Sequence, residues 1–231
     1  MEVIRTTGIE GARQALGIAV VIDVIRSFTV SAYALFGGAR ECRLVRTIDE
    51  ARALAASIPQ ALISAEENTL PIEGIPISNS PTQITTSDLK GRVLVQRSSA
   101  GTQVAAAVQP GVDIFAGSLV VATATVQACL LRRPSHLTLI ASADHPEDHA
   151  CASYMEAIIR GETPDLDKLL KPLKDSERYS RAMSGIWPGF PPTDIELALM
   201  PDRFNFAMPV TPKAGYLSLT RDDQGRPPKP E

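Results

Sequence analysis

The apolar run Ile18–Val24 is the feature that most constrains the fold. A short, continuous apolar run is typical of a strand that is covered on both faces. Asp23 interrupts the run near its end, and Arg26, Ser27 and Thr29 follow where the chain should turn into a helix. Strands buried on both faces occur mainly in α/β proteins, where helices cover each side of the sheet. The run therefore predicts an α/β fold with polar groups at the end of a buried strand.

The same succession of strand, Arg-Ser pair, small-residue helix and second strand occurs twice. The first copy carries Arg26-Ser27 and the second carries Arg97-Ser98. Two β-α-β-α units suggest an internal duplication, although α/β proteins share this rhythm without common ancestry. We predict one α/β domain over residues 1–220. The polar, Pro-rich segment 221–231 is expected to be a disordered tail.

Composition and charge narrow the class of partner. The 231 residues carry a formal net charge of -3, which argues against nucleic acid or an anionic membrane surface and leaves a small ligand. Asp23 and Arg26 break the first apolar run before it reaches the roughly 20 residues of a membrane span, so we expect no signal peptide or anchor. Cys42, Cys129 and Cys151 lack any C-x-x-C pairing, which favours buried thiols in a reducing compartment. We therefore expect a cytoplasmic protein.

Two polar turns follow the equivalent strands of the two copies. In open α/β sheets the ligand lies beyond the carboxyl ends of the strands, where loops lead into helix N-termini. The turns carry Arg26, Ser27 and Thr29 in the first copy and Arg97, Ser98, Ser99, Gly101 and Thr102 in the second. Guanidinium groups match phosphate or sulfonate oxygens, so we predict an anion-binding cradle at one edge of the sheet. The alternative is that the hydroxyl groups cap helices and the arginines are solvated.

Carboxylates also follow three of the expected strands. They are Asp23, the pair Glu66-Glu67 and the pair Glu147-Asp148. Hard oxygen ligands on separate loops suit Mg²⁺, which takes one or two carboxylates and completes its shell with water and substrate oxygens. Solvated loop acids are the alternative, but Asp23 lies inside an apolar strand and must be paired or functional. A zinc site at His145 and His149 is disfavoured, because Pro146 separates them and no glutamate occupies the position that such sites use.

Taken in order along the chain, these residues and further motifs resemble the 2-phosphosulfolactate phosphatase family, the ComB family of coenzyme M biosynthesis. The motifs are Val21–Ser27, Glu73-Gly74, Asn79-Ser80-Pro81, Ser99–Thr102, Gly117-Ser118 and Glu147–Ala152. The resemblance implies a three-layer α/β/α fold with a mixed sheet. It also implies a Mg²⁺-dependent phosphatase that hydrolyses 2-phospho-3-sulfolactate to 3-sulfolactate and phosphate.

With the resemblance, the candidate residues fall into three groups. The catalytic group is Asp23, Arg26 and Arg97; the substrate-binding group is Ser27, Thr29, Asn79, Ser80, Ser98, Ser99, Gly101 and Thr102; the metal ligands are Asp23, Glu66, Glu147 and Asp148. The two arginines would neutralise charge on the phosphate. Asp23 could be a nucleophile, a general base or a metal ligand, and we favour the last two. We also expect a homodimer.

The chain departs from the family pattern at three places. Ala65–Asn68 stands where the family reads Gly-Glu-Arg-Gly, so that Glu67 replaces a cation, and Ala100 replaces an amide side chain. The segment before Glu147 is shortened as well. These departures motivate a second hypothesis, in which a catalytically weak relative binds a sulfonated or phosphorylated metabolite as a sensor or accessory subunit. A requirement for Mg²⁺ in turnover would distinguish the enzyme from the binding protein.

Overall fold

A computed structural model describes residues 1–223 of the chain. The strands are β1 (Glu2–Thr7), β2 (Ile18–Ile22), β3 (Glu41–Leu44), β4 (Leu62–Glu67), β5 (Leu70–Pro71), β6 (Val93–Arg97), β7 (Asp113–Gly117), β8 (His136–Ala141), β9 (Pro209–Lys213) and β10 (Tyr216–Leu219). The helices are α1 (Gly8–Arg13), α2 (Ser27–Phe36), α3 (Ile48–Ala56), α4 (Pro81–Thr85), α5 (Gly101–Ala107), α6 (Ala122–Leu131), α7 (Pro146–Ile159), α8 (Leu166–Lys174), α9 (Glu177–Met183) and α10 (Thr193–Ala198). A short 3₁₀ turn at Leu119–Val121 leads into α6.

The strands form one mixed sheet in the order β1-β8-β2-β7-β9-β10-β3-β6-β4-β5. β1, β8, β2 and β7 are mutually parallel, and so are β3, β6 and β4. The antiparallel hairpin of β9 and β10 joins these two groups, which therefore run in opposite directions. The α/β class and the mixed sheet predicted from the sequence are confirmed.

This sheet is not flat. A flat sheet would hold β2 and β6 five strand spacings apart, about 24 Å. Nevertheless, the carboxylate of Asp23, just after β2, accepts a hydrogen bond from the backbone N–H of Gly101, just after β6, at 2.9 Å. The two polar turns therefore meet, as the sequence predicted, although β2 and β6 run in opposite directions and are not neighbours in the sheet. Sheets twist from strand to strand, which changes the direction of distant strands relative to one another.

The largest apolar core joins the two strand groups. Val21 and Ala116 from the first strand group share one cluster with Leu44 and Leu94 from the second, together with residues of α1, α2 and α5. On the opposite faces, α6, α7 and α8 cover the first group and α3 covers the second. Helices therefore lie on both faces of the sheet, which confirms the layered α/β/α arrangement.

The helix α2 is buried along almost its whole length. Its residues from Ser27 to Leu35 are all buried, and a helix surrounded by protein needs small or apolar residues on every side. Its polar groups are satisfied by β6, since the Ser31 hydroxyl donates to Gln96 Oε1 at 2.6 Å and Gln96 Nε2 donates to the Ser27 carbonyl at 2.7 Å. These buried hydrogen bonds fix the start of α2 against the second strand group.

The two predicted repeat units interleave in the sheet. The first strand of each unit lies beside the second strand of the other, as β2 beside β7 and β6 beside β3. This order does not establish a duplication, which stays a prediction. In the segment predicted as a tail, Asp222 exchanges two backbone hydrogen bonds with Ala207, while residues 224–231 lie outside the described part of the chain. Within residues 1–223, no helix has the length and apolar character to cross a membrane.

Gly17 provides a test of how closely β2 and β8 are joined. Its φ is +70°, and an added Cβ would lie 2.1 Å from the His136 carbonyl oxygen. Gly91 has a similar φ of +72° but open space around the same position. Alanine costs about 1–2 kcal/mol at either site for the left-handed backbone, and we expect Gly17→Ala to lose roughly 1–3 kcal/mol more through the clash. Urea unfolding of both variants measures the difference, and equal losses would contradict this account of the turn.

Candidate active site

Asp23 is buried immediately after β2 and holds the beginnings of two helices. Its Oδ1 accepts the backbone N–H of Ser27 at 3.0 Å, and its Oδ2 accepts that of Gly101 at 2.9 Å. Ser27 and Gly101 begin α2 and α5, and the first N–H groups of a helix have no partner within it. A carboxylate at the end of a buried strand is therefore stabilised by two helix N-termini.

Asp148 lies behind Asp23 and shares its buried environment. Its Oδ1 accepts the Val24 N–H at 2.8 Å and its Oδ2 accepts the Ser142 hydroxyl at 2.9 Å. Burial raises the pKa of Asp23 to about 6, and the nearby carboxylate of Glu66 adds to the rise. Burial, followed by the charge of Asp23, raises the pKa of Asp148 well above its ordinary value. The pair therefore takes up a proton at a higher pH than exposed carboxylates do.

Arg26 is buried on the other side of Asp23 and is fixed from several directions. Its Nη1 donates to Asp194 Oδ2 at 2.9 Å and to the Gly189 carbonyl at 2.8 Å. Its guanidinium lies over the ring of Phe190, 4.1 Å from the centroid. Its Nη2 is buried and has no hydrogen-bond partner among residues 1–223. One arginine nitrogen is thus held in place without a protein acceptor.

A cavity of about 100 Å³ opens between these groups. Six of the residues predicted from the sequence line it: Asp23, Arg26, Glu66, Asn79, Ser98 and Ser99. The lining combines acidic and cationic groups with an amide and hydroxyl groups, so the cavity suits a small, polar and charged ligand. The structure therefore brings together the end of β2 and the loop after β6, as the cradle hypothesis predicted.

The other predicted substrate-binding residues support the cavity from behind. Ser27 and Gly101 contribute backbone N–H groups to Asp23. The hydroxyl of Thr29 donates to the Val24 carbonyl at 2.7 Å, that of Ser80 donates to Asp194 at 2.6 Å, and that of Thr102 accepts the Ser98 N–H at 3.1 Å. For these hydroxyl groups the structure agrees with the alternative that they stabilise turns and helix starts.

Arg97 also lies outside the cavity lining. Its guanidinium donates to the backbone carbonyl of Glu66 and, at 3.4 Å, to that of Arg46. Glu66 in turn accepts the N–H groups of Ser99 and Thr69, at 2.7 and 2.6 Å. Arg97 is therefore placed to hold the end of β4 at Glu66 and does not line the cavity, so its predicted contact with the phosphate stays a prediction.

The predicted magnesium ligands do not converge as a set of four. Both oxygens of Asp148 are engaged, and Glu147 Oε1 accepts a hydrogen bond from Arg178 while its Oε2 is buried without a partner. Within residues 1–223, no three acidic, histidine or cysteine side chains form a metal cluster. Asp23 and Glu66 both line the cavity, and Mg²⁺ commonly needs only one or two carboxylates. These two residues fit such a site; the larger set does not.

Sequence reasoning missed several residues of the site. Arg178, His145 and Ser142 line the cavity, and Asp194 is the buried partner of Arg26. Burial lowers the pKa of His145, and the nearby charge of Arg178 lowers it further, so the ring is neutral at pH 7. Arg178 and Asp194 come from the C-terminal part of the chain and match no local motif. The sequence contains only one indication of Asp194, namely that it is a polar residue close to the apolar stretch around Phe190.

Comparisons with known proteins identify the family to which the chain is similar. The model of a family described as 2-phosphosulpholactate phosphatase matches residues 5–183. The chain is 35% identical over 145 residues to a probable 2-phosphosulfolactate phosphatase of Bacillus subtilis, covering 62% of this chain and 64% of the relative. For proteins of the same name, it is 31% identical over 126 residues in Synechococcus sp. (strain CC9605), covering 54% and 52%, and 35% identical over 85 residues in Deinococcus radiodurans, covering 37% and 35%. The chain thus spans less than two thirds of each relative.

The buried acid pair predicts a particular dependence of stability on pH. Because the folded-state pKa of Asp23 lies above its unfolded value of 3.8, its contribution to the free energy of unfolding is full below about pH 4 and is lost as the pH rises to about 6. The loss is on the order of 2–3 kcal/mol, and Asp148 acts in the same direction.

We therefore expect Asp148→Asn to be more stable than the wild type at pH 8 and to show a flatter profile between pH 4 and pH 8. The amide keeps an acceptor for Val24 and a donor for the Ser142 oxygen, and it removes the charge beside Asp23. Chemical unfolding at each pH, with chelator, provides the measurement. Asp113→Asn, at an exposed carboxylate paired with Arg132, is the control. A steeper profile in Asp148→Asn would contradict the expectation.

Proposed function

Since the chain belongs to the 2-phosphosulpholactate phosphatase family, we propose that it is a phosphoric monoester hydrolase. Its proposed substrate is 2-phospho-3-sulfolactate or a similar small anionic phosphoester, which it converts to 3-sulfolactate, or the corresponding alcohol, and phosphate. The observation that carries the proposal is that the buried Nη2 of Arg26 has no hydrogen-bond partner among residues 1–223, while Arg26 and Asp23 line one cavity. A phosphate oxygen is the kind of acceptor that this nitrogen needs.

Burial explains why the free nitrogen of Arg26 supports anion binding. Only 4% of Arg26 is exposed, and a buried donor without a partner is costly. Asp194 balances the charge of the guanidinium through Nη1, and the Phe190 ring and the Gly189 carbonyl fix its plane. A ligand oxygen would therefore meet a donor that is already oriented, which is the arrangement that stabilises developing charge most effectively.

Asp23 supplies the reactive group in this proposal. With a pKa of about 6, its carboxyl group is mostly ionised at pH 7 and still able to take up a proton. Its two hydrogen bonds to backbone N–H groups orient the carboxylate and leave it further acceptor positions. The geometry allows a general base or a metal ligand, which we favour, and also a nucleophile that forms an aspartyl-phosphate.

Dependence on Mg²⁺ is part of the proposal. Asp23 and Glu66 would hold the ion, since both line the cavity and Mg²⁺ completes its shell with water and substrate oxygens. When bound, Mg²⁺ would neutralise charge on the phosphate oxygens. Arg97 and the N–H groups of Ser99 and Thr69 would keep Glu66, near the end of β4, in place to hold the ion.

We also propose a cytoplasmic location, a role in coenzyme M biosynthesis and a homodimer. Three free thiols, all buried, fit a reducing compartment. Two-fold dimers are the commonest assemblies of metabolic enzymes. Phe36 is 59% exposed and stacks on Phe204, which gives the surface an apolar site for such a contact. Light scattering after size-exclusion chromatography would measure the oligomeric state.

Release of phosphate from racemic 2-phospho-3-sulfolactate is the direct test of the proposed function. We expect release with Mg²⁺ and its loss with chelator, and slower release from simple alkyl phosphates. Restoration by added Mg²⁺ is the control for damage by the chelator. The absence of release across a panel of small phosphoesters, combined with thermal stabilisation by 3-sulfolactate, would favour the binding protein in place of the enzyme.

Arg26→Lys tests the part played by the free nitrogen. Lysine keeps the positive charge for Asp194, but it lacks the second nitrogen, which has no partner among residues 1–223. We expect kcat/KM for phosphate release to fall by about hundredfold. Arg43→Lys is the matched control. Arg43 lies on β3, where it pairs with Glu41 and stacks on Tyr216 of β10, and it does not line the cavity. Equal effects of the two substitutions on kcat/KM would contradict the proposal that Arg26 binds the phosphate.

A further inference from the structure

We propose that Arg178 binds a second acidic group of the substrate, carboxylate or sulfonate, and so selects phosphoesters that carry another acid close to the phosphate. This inference rests on the proposed function for the position of the phosphate at Arg26. It assigns a specificity role to a residue of α9 that no sequence motif indicated. The observations that carry it are the contacts of Arg178, the size of the cavity and the distribution of charge around it.

One nitrogen of the Arg178 guanidinium is held by an ion pair, and the others are free to bind a ligand. Its Nη1 donates to Glu147 Oε1, and within residues 1–223 its other nitrogens have no protein acceptor. The Glu147 side chain is completely buried, whereas 29% of the Arg178 side chain is exposed. The ion pair therefore holds the guanidinium in one orientation at the lining of the cavity, with donors left for a ligand.

Two arginines with spare donors thus line a single small cavity. Arg26 lines it from the turn after β2, and its buried Nη2 has no partner in the described part of the chain; Arg178 lines it from α9. The cavity measures about 100 Å³, so one small molecule can contact both guanidinium groups. Asp23 and Glu66 also line the cavity, and they disfavour an anion except where an arginine compensates their charge. A ligand with two separated acidic groups matches this pattern better than phosphate alone.

A purely structural role for Arg178 is the competing explanation. Removal of one member of a buried ion pair leaves the other charge uncompensated, so a single Arg178 variant could lose activity through instability. Glu147→Gln removes that charge and serves as the reference background. Comparison of Glu147→Gln with the double variant Glu147→Gln/Arg178→Gln then isolates the contribution of Arg178 to ligand binding.

The first experiment is calorimetric titration with two probes that require no turnover. We expect the double variant to bind 3-sulfolactate roughly ten- to hundredfold more weakly than Glu147→Gln, as the loss of a charge-assisted hydrogen bond predicts. The loss for inorganic phosphate should be at least fivefold smaller. Arg181→Gln is the matched control on the same helix, because Arg181 contacts Glu177 and Trp187 outside the cavity. Equal losses for both probes, or no binding of 3-sulfolactate by the wild type, would overturn the inference.

The second experiment compares kcat/KM for 2-phospho-3-sulfolactate and for 2-propyl phosphate, which lacks a second acid. The ratio of the two values should fall about tenfold or more from Glu147→Gln to the double variant. A ratio that stays constant would overturn the inference. If the wild type binds 3-sulfolactate through Arg178 but releases no phosphate from any ester, the proposed function fails and the assignment of Arg178 stands.

Discussion

The site depends on the two hydrogen bonds that the carboxylate of Asp23 accepts from backbone N–H groups. This carboxylate connects the first turns of α2 and α5, which follow strands that run in opposite directions in the sheet. Burial raises the pKa of this carboxyl group to about 6, and the hydrogen bonds from the two backbone N–H groups only partly offset the rise. The hydrogen bond with Gly101 joins the end of one strand group to the end of the other at the cavity.

The two arginines at the cavity each use one nitrogen in an ion pair with the protein and keep other donors for a ligand. Asp194 and Glu147 are the least exposed acids among residues 1–223, and each accepts a hydrogen bond from one nitrogen of an arginine. The arginines are therefore neutralised in the protein and still able to donate to a ligand. This arrangement avoids the cost of two isolated buried cations, and it keeps their donors oriented before any ligand arrives.

Local sequence patterns were enough to locate the buried strand β2, the polar turns and the importance of Asp23, because these signals are contained in short stretches. The α/β class followed from the same strand. The reversal of direction between the strand groups could not be predicted, since it depends on where β9 and β10 insert. Arg178 and Asp194 were missed for a related reason: each becomes part of the site only through contacts with residues distant in the chain. Hydroxyl groups were assigned to the ligand too freely, because capping and binding leave the same pattern in a sequence.

The position of the β9–β10 hairpin has a consequence for the order in which the protein can be completed on the ribosome. The hairpin occupies the middle of the sheet but is made of some of the last described residues, Pro209–Leu219. Until these residues emerge, β7 and β3 are unpaired edges of two separate half-sheets, and such edges invite pairing with other chains. The partners of Arg26, Gly189 and Asp194, also emerge late. The nascent chain therefore contains Asp23 long before it contains the residues that hold Arg26, and the two strand groups are joined only when the hairpin has emerged.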